Sequence, residues 1–279
     1  MPSEKRARQR AAREARLAAE AQAAKRRRQI RNAIIVVVVA GAIVGIVFAV
    51  SGSNKPVGKE SATSTTASSA SGANAHLQSE ANAAAVKAGC PASPTTPANH
   101  QHYTAAPAMT IDTTKSYSAT VKTTTGTFVI GLNAQAAPKT VNNFVFLAQK
   151  GFFHCNSFFR VVPGFVNQTG NPAQTNKSSS TSGASYTLPA ENLPAAGTAA
   201  KPAYPDGSVA MATSPSGVSG SQFFIVAGAQ GQSLPNSYPL FGLVTSGMNV
   251  VQTINQQGSS AGIPPTVTQR ILSVTIHES

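Results

Sequence analysis

Arg160 is the one charged side chain within an apolar run, FFRVVPGFV, at residues 158–166. Two glutamines also stand beside apolar residues: Gln168 follows this run, and Gln222 comes directly before two phenylalanines. An arginine and two glutamines among phenylalanines suit an apolar pocket with a few polar anchors, which is the usual composition of a small binding site. Taken alone, Arg160 would more simply be an outward-pointing residue on the wall of a sheet.

Hydrolytic and metal-dependent chemistry is not indicated by the residue types. The sequence shows no Ser/His/Asp set, no paired carboxylates and no cluster of metal ligands, and Asp and Glu together number nine in 279 residues. His100 and His102 flank one residue near Cys90, but loop histidines at that spacing are usually solvated. We therefore predict neither a metal nor a cofactor.

Short strands and two helices must position the polar anchors. Residues 116–132 alternate in hydrophobicity around a TTTG turn, which predicts two strands. APKTVNNFVFLAQKG at 137–151 has Pro138 in its first turn and apolar residues at helical spacing, and MNVVQTINQQG at 248–258 predicts a second helix. The remaining apolar runs are short and broken by Gly, Pro, Ser and Asn, so we expect a closed antiparallel barrel without exposed strand edges.

Residues 33–50 read AIIVVVVAGAIVGIVFAV, eighteen residues without charge or proline. A helix of that length can cross the hydrocarbon core of a bilayer, and the basic residues 1–32 before it predict a cytoplasmic N-terminus. We interpret 33–50 as a single-pass anchor in the cell membrane that leaves the rest of the chain outside the cytoplasm. Cleavage after the small residues near Ser51 and a buried core helix are the alternatives. Gly41 and Gly45 have the GxxxG spacing that lets two membrane helices approach closely, so a weak dimer is a further expectation.

Most of the net charge of +13 belongs to the first 32 residues, which hold eleven Lys or Arg and three acidic residues. The simplest interpretation is that this tail sets the membrane orientation and contacts anionic lipid headgroups. RNA binding is the alternative, but the tail would then lie across the membrane from the folded domain. We therefore predict no nucleic-acid partner.

Residues 51–115 are rich in Ser, Thr, Ala and Pro, which predicts a disordered linker because such a segment cannot bury enough apolar area to fold alone. Part of it, HLQSEANAAAVKAG, could form a short helix ending at Gly89. Cys90 and Cys155 are the two cysteines of the chain, and both fall on the predicted outer side, where disulfides persist. A bond between them would pin the linker to the folded domain; two free thiols are the alternative.

Four blocks of sequence follow one another along residues 116–277: PKTVNNF, FFRVVPGFVNQTGNP, GSVAMATSPSGVSGSQFFIV and LFGLVTSGMNVV. In this order they resemble the cyclophilins, and the second and third blocks together are highly specific. The resemblance implies a mainly β domain at 116–279, a closed eight-stranded antiparallel β-barrel with two capping helices. It also implies cis–trans isomerisation of X-Pro peptide bonds, with proline-containing polypeptides as partners.

The same resemblance implies roles for individual residues. Arg160 matches the family's catalytic arginine, Gln168 the glutamine that holds the substrate backbone, and Phe165 a wall of the proline pocket. The implied substrate-binding residues are Val166, Phe224 and Leu234 in the same pocket, Met211, Ala212, Thr213 and Gln222 along the groove for the residue before proline, and Tyr238 where many members have histidine.

Several positions depart from the family pattern. Val166 replaces the usual Met, Phe159 the His often found beside the arginine, and Thr169 a glycine. Ser233 stands where eukaryotic members commonly have Trp, which predicts weak cyclosporin binding, and Thr213 and Tyr238 replace the usual Asn and His. These departures leave open a non-catalytic binding module for Pro-containing segments, or a tethered chaperone whose isomerase activity is incidental. The basic anchor, Ala-rich tether and barrel are typical of a bacterial envelope protein, whose substrates would be exported or cell-envelope proteins.

Overall fold

The computed structural model describes residues 64–174, 183–198 and 201–279. The predicted tail at 1–32 and membrane anchor at 33–50, with Gly41 and Gly45, lie outside these residues. Within the described ranges, no helix combines the length and apolar character needed to span a bilayer. The helices are α1 (Ser64–Lys87), α2 (Pro138–Gln149), α3 (Ala229–Gln232) and α4 (Met248–Gln256). The strands are β1 (His102–Tyr103), β2 (Tyr117–Thr123), β3 (Gly126–Leu132), β4 (Arg160–Val162), β5 (Val166–Thr169), β6 (Gly183–Ala184), β7 (Thr187–Leu188), β8 (Ser208–Ser214), β9 (Gly217–Val226), β10 (Leu240–Ser246) and β11 (Ile271–Glu278).

Eight of these strands form one curved antiparallel sheet in the order β11-β2-β3-β10-β8-β9-β5-β4, and β7 pairs with β9 beside this path. Strands β1 and β6 form a separate parallel pair. The predicted hairpin around the TTTG turn is confirmed, with Lys122 opposite Thr127 across β2 and β3. The fold is mainly β, as predicted.

The inner face of the sheet and the helices share one apolar core. Alternation on β3 buries Phe128 and Ile130, as the sequence pattern predicts. Helix α2 places Phe144 against Phe153 and Phe223, with ring centroids 5.1 and 5.6 Å away. The core-facing side predicted for α2 is therefore confirmed, and α4 contributes in the same way. The buried apolar side chains of the two helices are Val141, Phe144, Val145, Leu147 and Ala148 of α2 and Val251 and Ile254 of α4.

The prediction of a fully closed barrel is wrong, because the sheet is a half-barrel whose path ends at β4 and β11. An isolated bridge between Ser157 and Arg270 links the segments around the starts of these two strands, and Cys155 N donates to Ile271 O at 2.8 Å beside it. Strand β4 has three residues, and its free edge is occupied by a loop: Val161 N donates to Gly262 O at 2.9 Å, and Ser259 N donates to Val161 O at 3.2 Å. The loop thus occupies the edge of β4, whereas β11 is joined to the segment before β4.

The prediction of disorder throughout 51–115 is also wrong, because α1 and the chain after it pack on the half-barrel. Gln78 exchanges hydrogen bonds with the backbone of Thr268, accepting from its N at 2.6 Å and donating to its O at 3.3 Å. The buried guanidinium of Arg270 donates to Asn82 Oδ1 at 3.1 Å and to Pro91 O at 2.5 Å. A prediction from composition treats the segment in isolation. In the structure, the segment supplies the hydrogen-bond acceptors that the buried Arg270 requires, and these bonds hold it in place.

The end of α1 follows the sequence-based expectation closely. The helix stops at Lys87, and Gly89 takes a left-handed φ of +85° that glycine adopts without a steric cost. Cys90 then bonds to Cys155, which is 65 residues further along the chain. The predicted disulfide is thus present, and it pins the end of this segment to the turn after α2.

We expect that replacing both Cys90 and Cys155 by alanine lowers the free energy of unfolding by about 2–4 kcal/mol, because the crosslink restricts the unfolded chain. Urea denaturation of the oxidised protein, the reduced protein and the double variant measures the effect. The reduced protein and the variant should unfold at similar denaturant concentrations, below that of the oxidised protein. Equal midpoints for all three would contradict a stabilising role.

Candidate active site

One row of paired residues crosses the outer face of the half-barrel. Arg160 on β4 lies opposite Gln168 on β5, and Gln168 lies opposite Phe224 on β9. Phe224 in turn lies opposite Ala210 on β8, which pairs with Leu240 on β10. Neighbouring residues in these strands point inward, because side chains alternate between the faces of a sheet. The structure therefore brings three sequence-predicted site residues side by side on the face away from the main core.

Buried amides hold the β4–β5 hairpin that carries Arg160. Asn255 of α4 accepts a hydrogen bond from Gly164 N at 2.7 Å and donates to Val162 O at 2.9 Å. It also donates to Asn167 Oδ1 at 2.8 Å, while Asn167 Nδ2 donates to the carbonyl of Val251 at 2.9 Å. These bonds fix both strands and the turn of the hairpin against one helix. Sequence reasoning missed this network, since nothing in the pattern distinguishes these asparagines from solvated ones.

A chain of polar contacts leads away from Arg160. Its guanidinium donates to Gln168 Oε1 at 3.3 Å, and Gln168 Nε2 donates to Gln222 Oε1 at 3.1 Å. The guanidinium carbon lies 5.6 Å from the centre of the Phe165 ring. Burial lowers the pKa of Arg160 below its ordinary value, with a smaller opposing effect from Tyr238, yet arginine stays protonated near neutral pH. The site therefore holds a fixed positive charge with N–H donors left for a ligand.

An apolar cluster lies on one side of this polar chain. Phe224 and Tyr238 meet edge to face with ring centroids 5.2 Å apart. Tyr204, which the sequence analysis missed, accepts from Tyr238 N and donates to Tyr238 O, both at 2.9 Å, and so fixes the backbone at that position. The predicted pocket residues all belong to this one cluster, which contains Phe165, Val166, Phe224, Leu234 and Tyr238.

A groove of about 450 Å³ lies on the other side of the polar chain. Gln168, Gln222, Ala212 and Thr213 line it, as the resemblance implied for the last three. Met211 does not, because strand alternation turns its side chain into the main core, where it is 2% exposed. The prediction that Met211 lines the groove through its side chain is therefore wrong.

The far wall of the groove was not anticipated from the sequence. It consists of Ala184, Ser185, Tyr186 and Thr187. Tyr186 donates a short hydrogen bond to Asn143 Oδ1 of α2, and burial raises the pKa of Tyr186 to about 12, so the phenol remains a donor at neutral pH. The groove is thus lined by small, hydroxyl and amide side chains.

Among the described residues, side chains that could bind a metal ion lie close together at one place. Ligand atoms of Cys90, His154 and Cys155 lie within 4.8 Å of one another. Both sulfurs are joined in the disulfide and offer no thiolate, and His154 Nδ1 lies 2.7 Å from the carbonyl oxygen of Leu272. Cys90 and Cys155 therefore form the crosslink, and His154 lies beside it.

The site thus combines a half-barrel with two packed helices, an outward arginine beside an apolar cluster, and an adjoining groove. Residues 118–276 match the family model for cyclophilin type peptidyl-prolyl cis-trans isomerase/CLD. The chain belongs to this family, and it is a peptidyl-prolyl cis–trans isomerase.

Relatives from fungi and bacteria carry the same description. The chain is 34% identical over 158 residues to peptidyl-prolyl cis-trans isomerase-like 1 of Aspergillus niger, covering 56% of this chain and 92% of that protein. It is 38% identical over 125 residues to peptidyl-prolyl cis-trans isomerase B of Bacillus subtilis, covering 44% of this chain and 80% of that protein. A solved cyclophilin type isomerase of Cryptosporidium parvum aligns with a TM-score of 0.47 at 24% identity, covering 59% of this chain and 99% of that one.

Replacing Asn255 by leucine should lower the free energy of unfolding by about 1–3 kcal/mol and reduce kcat/KM, because buried groups of the hairpin lose their partners. Denaturant unfolding and a peptide exchange assay measure the two effects. Asn249→Leu, at an exposed position of the same helix, is the matched control. Full activity in a folded Asn255→Leu protein would show that the amide does not position the hairpin.

Proposed function

We propose that this isomerase uses Arg160 to catalyse exchange of X-Pro bonds in exported or cell-envelope proteins while tethered to the membrane by residues 33–50. The position of the Arg160 guanidinium carries the catalytic part of the proposal. The guanidinium donates to Gln168, which lines the groove, and lies 5.6 Å from the ring of Phe165 in the apolar cluster. A proline ring held by Phe224 and its neighbours would therefore bring its own imide bond next to the charge.

The proposed mechanism requires no bond to be broken. Resonance gives the X-Pro bond its rotation barrier, and uncatalysed exchange takes tens to hundreds of seconds. A donor directed at the proline nitrogen as it becomes pyramidal weakens that resonance, and the same donor can stabilise the twisted carbonyl. Arg160 acts in this way because the charge interacts more strongly with the twisted state than with the planar state.

Gln168 has two roles in the proposed mechanism. Its Oε1 accepts from Arg160 and its Nε2 donates to Gln222, so its side chain orients the guanidinium while remaining half-buried beside the groove. Phe165 lies under the guanidinium and limits its movement. Gln222, Ala212 and Thr213 would bind the residue before proline along the groove.

The tether is supported by the sequence and by the crosslink. The uncharged stretch at 33–50 is long enough to cross a bilayer, and eleven basic residues precede it. The bond between Cys90 and Cys155 suits an oxidising compartment outside the cytoplasm. Substrates would then be proline-containing segments of proteins that fold after export, in a bacterial envelope.

Arg160→Ala should lower kcat/KM for an Ala-Pro peptide by about 100-fold or more, since a preorganised charge-stabilising donor is lost. Arg160→Lys should keep the charge but lose the planar fork, and so fall in between. Lys122→Ala, which removes an exposed charge from β2, should behave as wild type. Exchange spectroscopy with each folded protein measures kcat/KM for the Ala-Pro peptide. Wild-type turnover by Arg160→Ala would overturn the assignment, and a folded wild-type protein without turnover would favour the binding-module alternative.

The full chain should fractionate with membranes and resist extraction by high salt, because burial of an apolar helix does not depend on ionic strength. A variant lacking residues 33–50 should be recovered in the soluble fraction. Protease added outside intact cells should reach the isomerase domain. Recovery of the full-length wild-type chain in the soluble fraction would contradict the tether.

A further inference from the structure

Residues 99–103 lie ahead of the part of the chain that matches the family model, which begins at residue 118. We call residues 99–103 the strap and residues 183–187 the wall loop, because the latter forms the far wall of the groove. His102 and Tyr103 of the strap pair in parallel with the first two residues of the wall loop. The wall loop donates to the strap backbone, from Gly183 N to Gln101 O at 2.9 Å and from Ser185 N to Tyr103 O at 2.8 Å.

A side-chain contact adds to this pairing. His102 Nε2 and Ser185 Oγ share a hydrogen bond of 2.6 Å. Ser185 lines the groove, so this bond fixes a group that a bound peptide would meet. The strap therefore contacts the wall loop through both backbone and side chain.

The strap is itself anchored to the end of α2 and to the turn that follows. The ring of Tyr103 lies 5.4 Å from Phe146 and 6.1 Å from Phe152, measured between centroids. Asn99 Nδ2 donates to the carbonyl of Phe152 at 3.0 Å, and Gln101 Nε2 donates to that of Lys150 at 3.1 Å. Such contacts make the strap a fixed support, since its position is set by the helix and core.

The wall loop has its second support on β9. A Cβ atom at Gly220 would lie 2.8 Å from Ala184 Cβ and 2.8 Å from Tyr186 Cε2, so the loop packs directly on the strand backbone there. Beyond it, Thr187 pairs with Ser219. The wall loop is thus held between β9 on one side and the strap on the other. Loss of the strap would leave it with β9 and the hydrogen bond from Tyr186 to Asn143 of α2.

We propose that the strap is a specificity-determining element of this isomerase: it positions the wall loop and thereby sets the affinity for peptide residues two or more positions before proline. His102 and Tyr103 are positioning residues in this role, because they act through the wall loop and not on the imide bond. The inference rests on the proposed function, in which the groove binds the peptide on the side that precedes proline.

The test compares two substrates with the full chain. A capped Ala-Pro dipeptide offers one residue before proline, whereas in a peptide extended by several residues before the alanine we expect the added residues to contact the wall loop. Tyr103→Ala and His102→Ala should raise KM for the extended peptide by about fivefold, the size of one hydrogen bond, with kcat nearly unchanged. Both constants for the dipeptide should stay at their wild-type values.

Matched variants separate positioning from general destabilisation. Tyr103→Phe keeps the ring packing and should retain the wild-type KM, and His100→Ala changes an exposed histidine two residues away from His102. Hydrogen exchange at the Ser185 amide should accelerate in Tyr103→Ala, while that of Val121 in the core strand β2 should not.

The remaining outcomes contradict either the role of the strap or the proposed function. An unchanged KM for the extended peptide, with accelerated exchange at Ser185, would overturn the role of the strap. Equal loss of kcat on both peptides would also overturn it, since the effect would then reach the imide bond. Absence of exchange of either peptide by wild type would overturn the proposed function, and the role of the strap with it.

Discussion

The buried amides of Asn167 and Asn255 join helix α4 to the β4–β5 hairpin, and the arrangement of the site depends on that junction. A hairpin at the end of an open sheet has only one neighbouring strand to support it, and β4 is three residues long. Hydrogen bonds to Gly164 N and Val162 O replace the support that a closed barrel would provide. Because these groups are buried, leaving any of them unpaired is costly, so the network has one well-defined geometry.

The two faces of the same strands serve different purposes. Met211 and Phe223 point inward and contribute to the core, whereas Phe224 and Gln222, one residue away, belong to the site. This separation follows from the period of two along a strand. Stability and catalysis can therefore be changed at adjacent positions with little overlap, except at Asn255, where both depend on one side chain.

The segment before the family domain contacts both the core of the fold and the wall of the groove. Arg270 is 1% exposed and finds acceptors on Asn82 and on the carbonyl of Pro91, while Cys90 is bonded to Cys155. Further along, the same segment reaches the wall of the groove through His102. A buried cation without nearby acceptors would be unfavourable, so folding of the barrel and ordering of this segment are coupled.

The sequence by itself indicated the mainly β class and both capping helices, because local periodicity depends on neighbouring residues only. With two cysteines in the chain, it also allowed a single internal disulfide. The block FFRVVPGFV led to most of the residues proposed for the site. The sequence did not determine the open edge at β4, the ordered segment after Ser64 or the inward direction of Met211. Those features depend on strand register and on contacts between residues far apart, such as Gln78 with Thr268. Hydrogen-bond partners at that separation are selected only when the whole chain has folded, since the free energy of burying a polar group depends on what lies across from it.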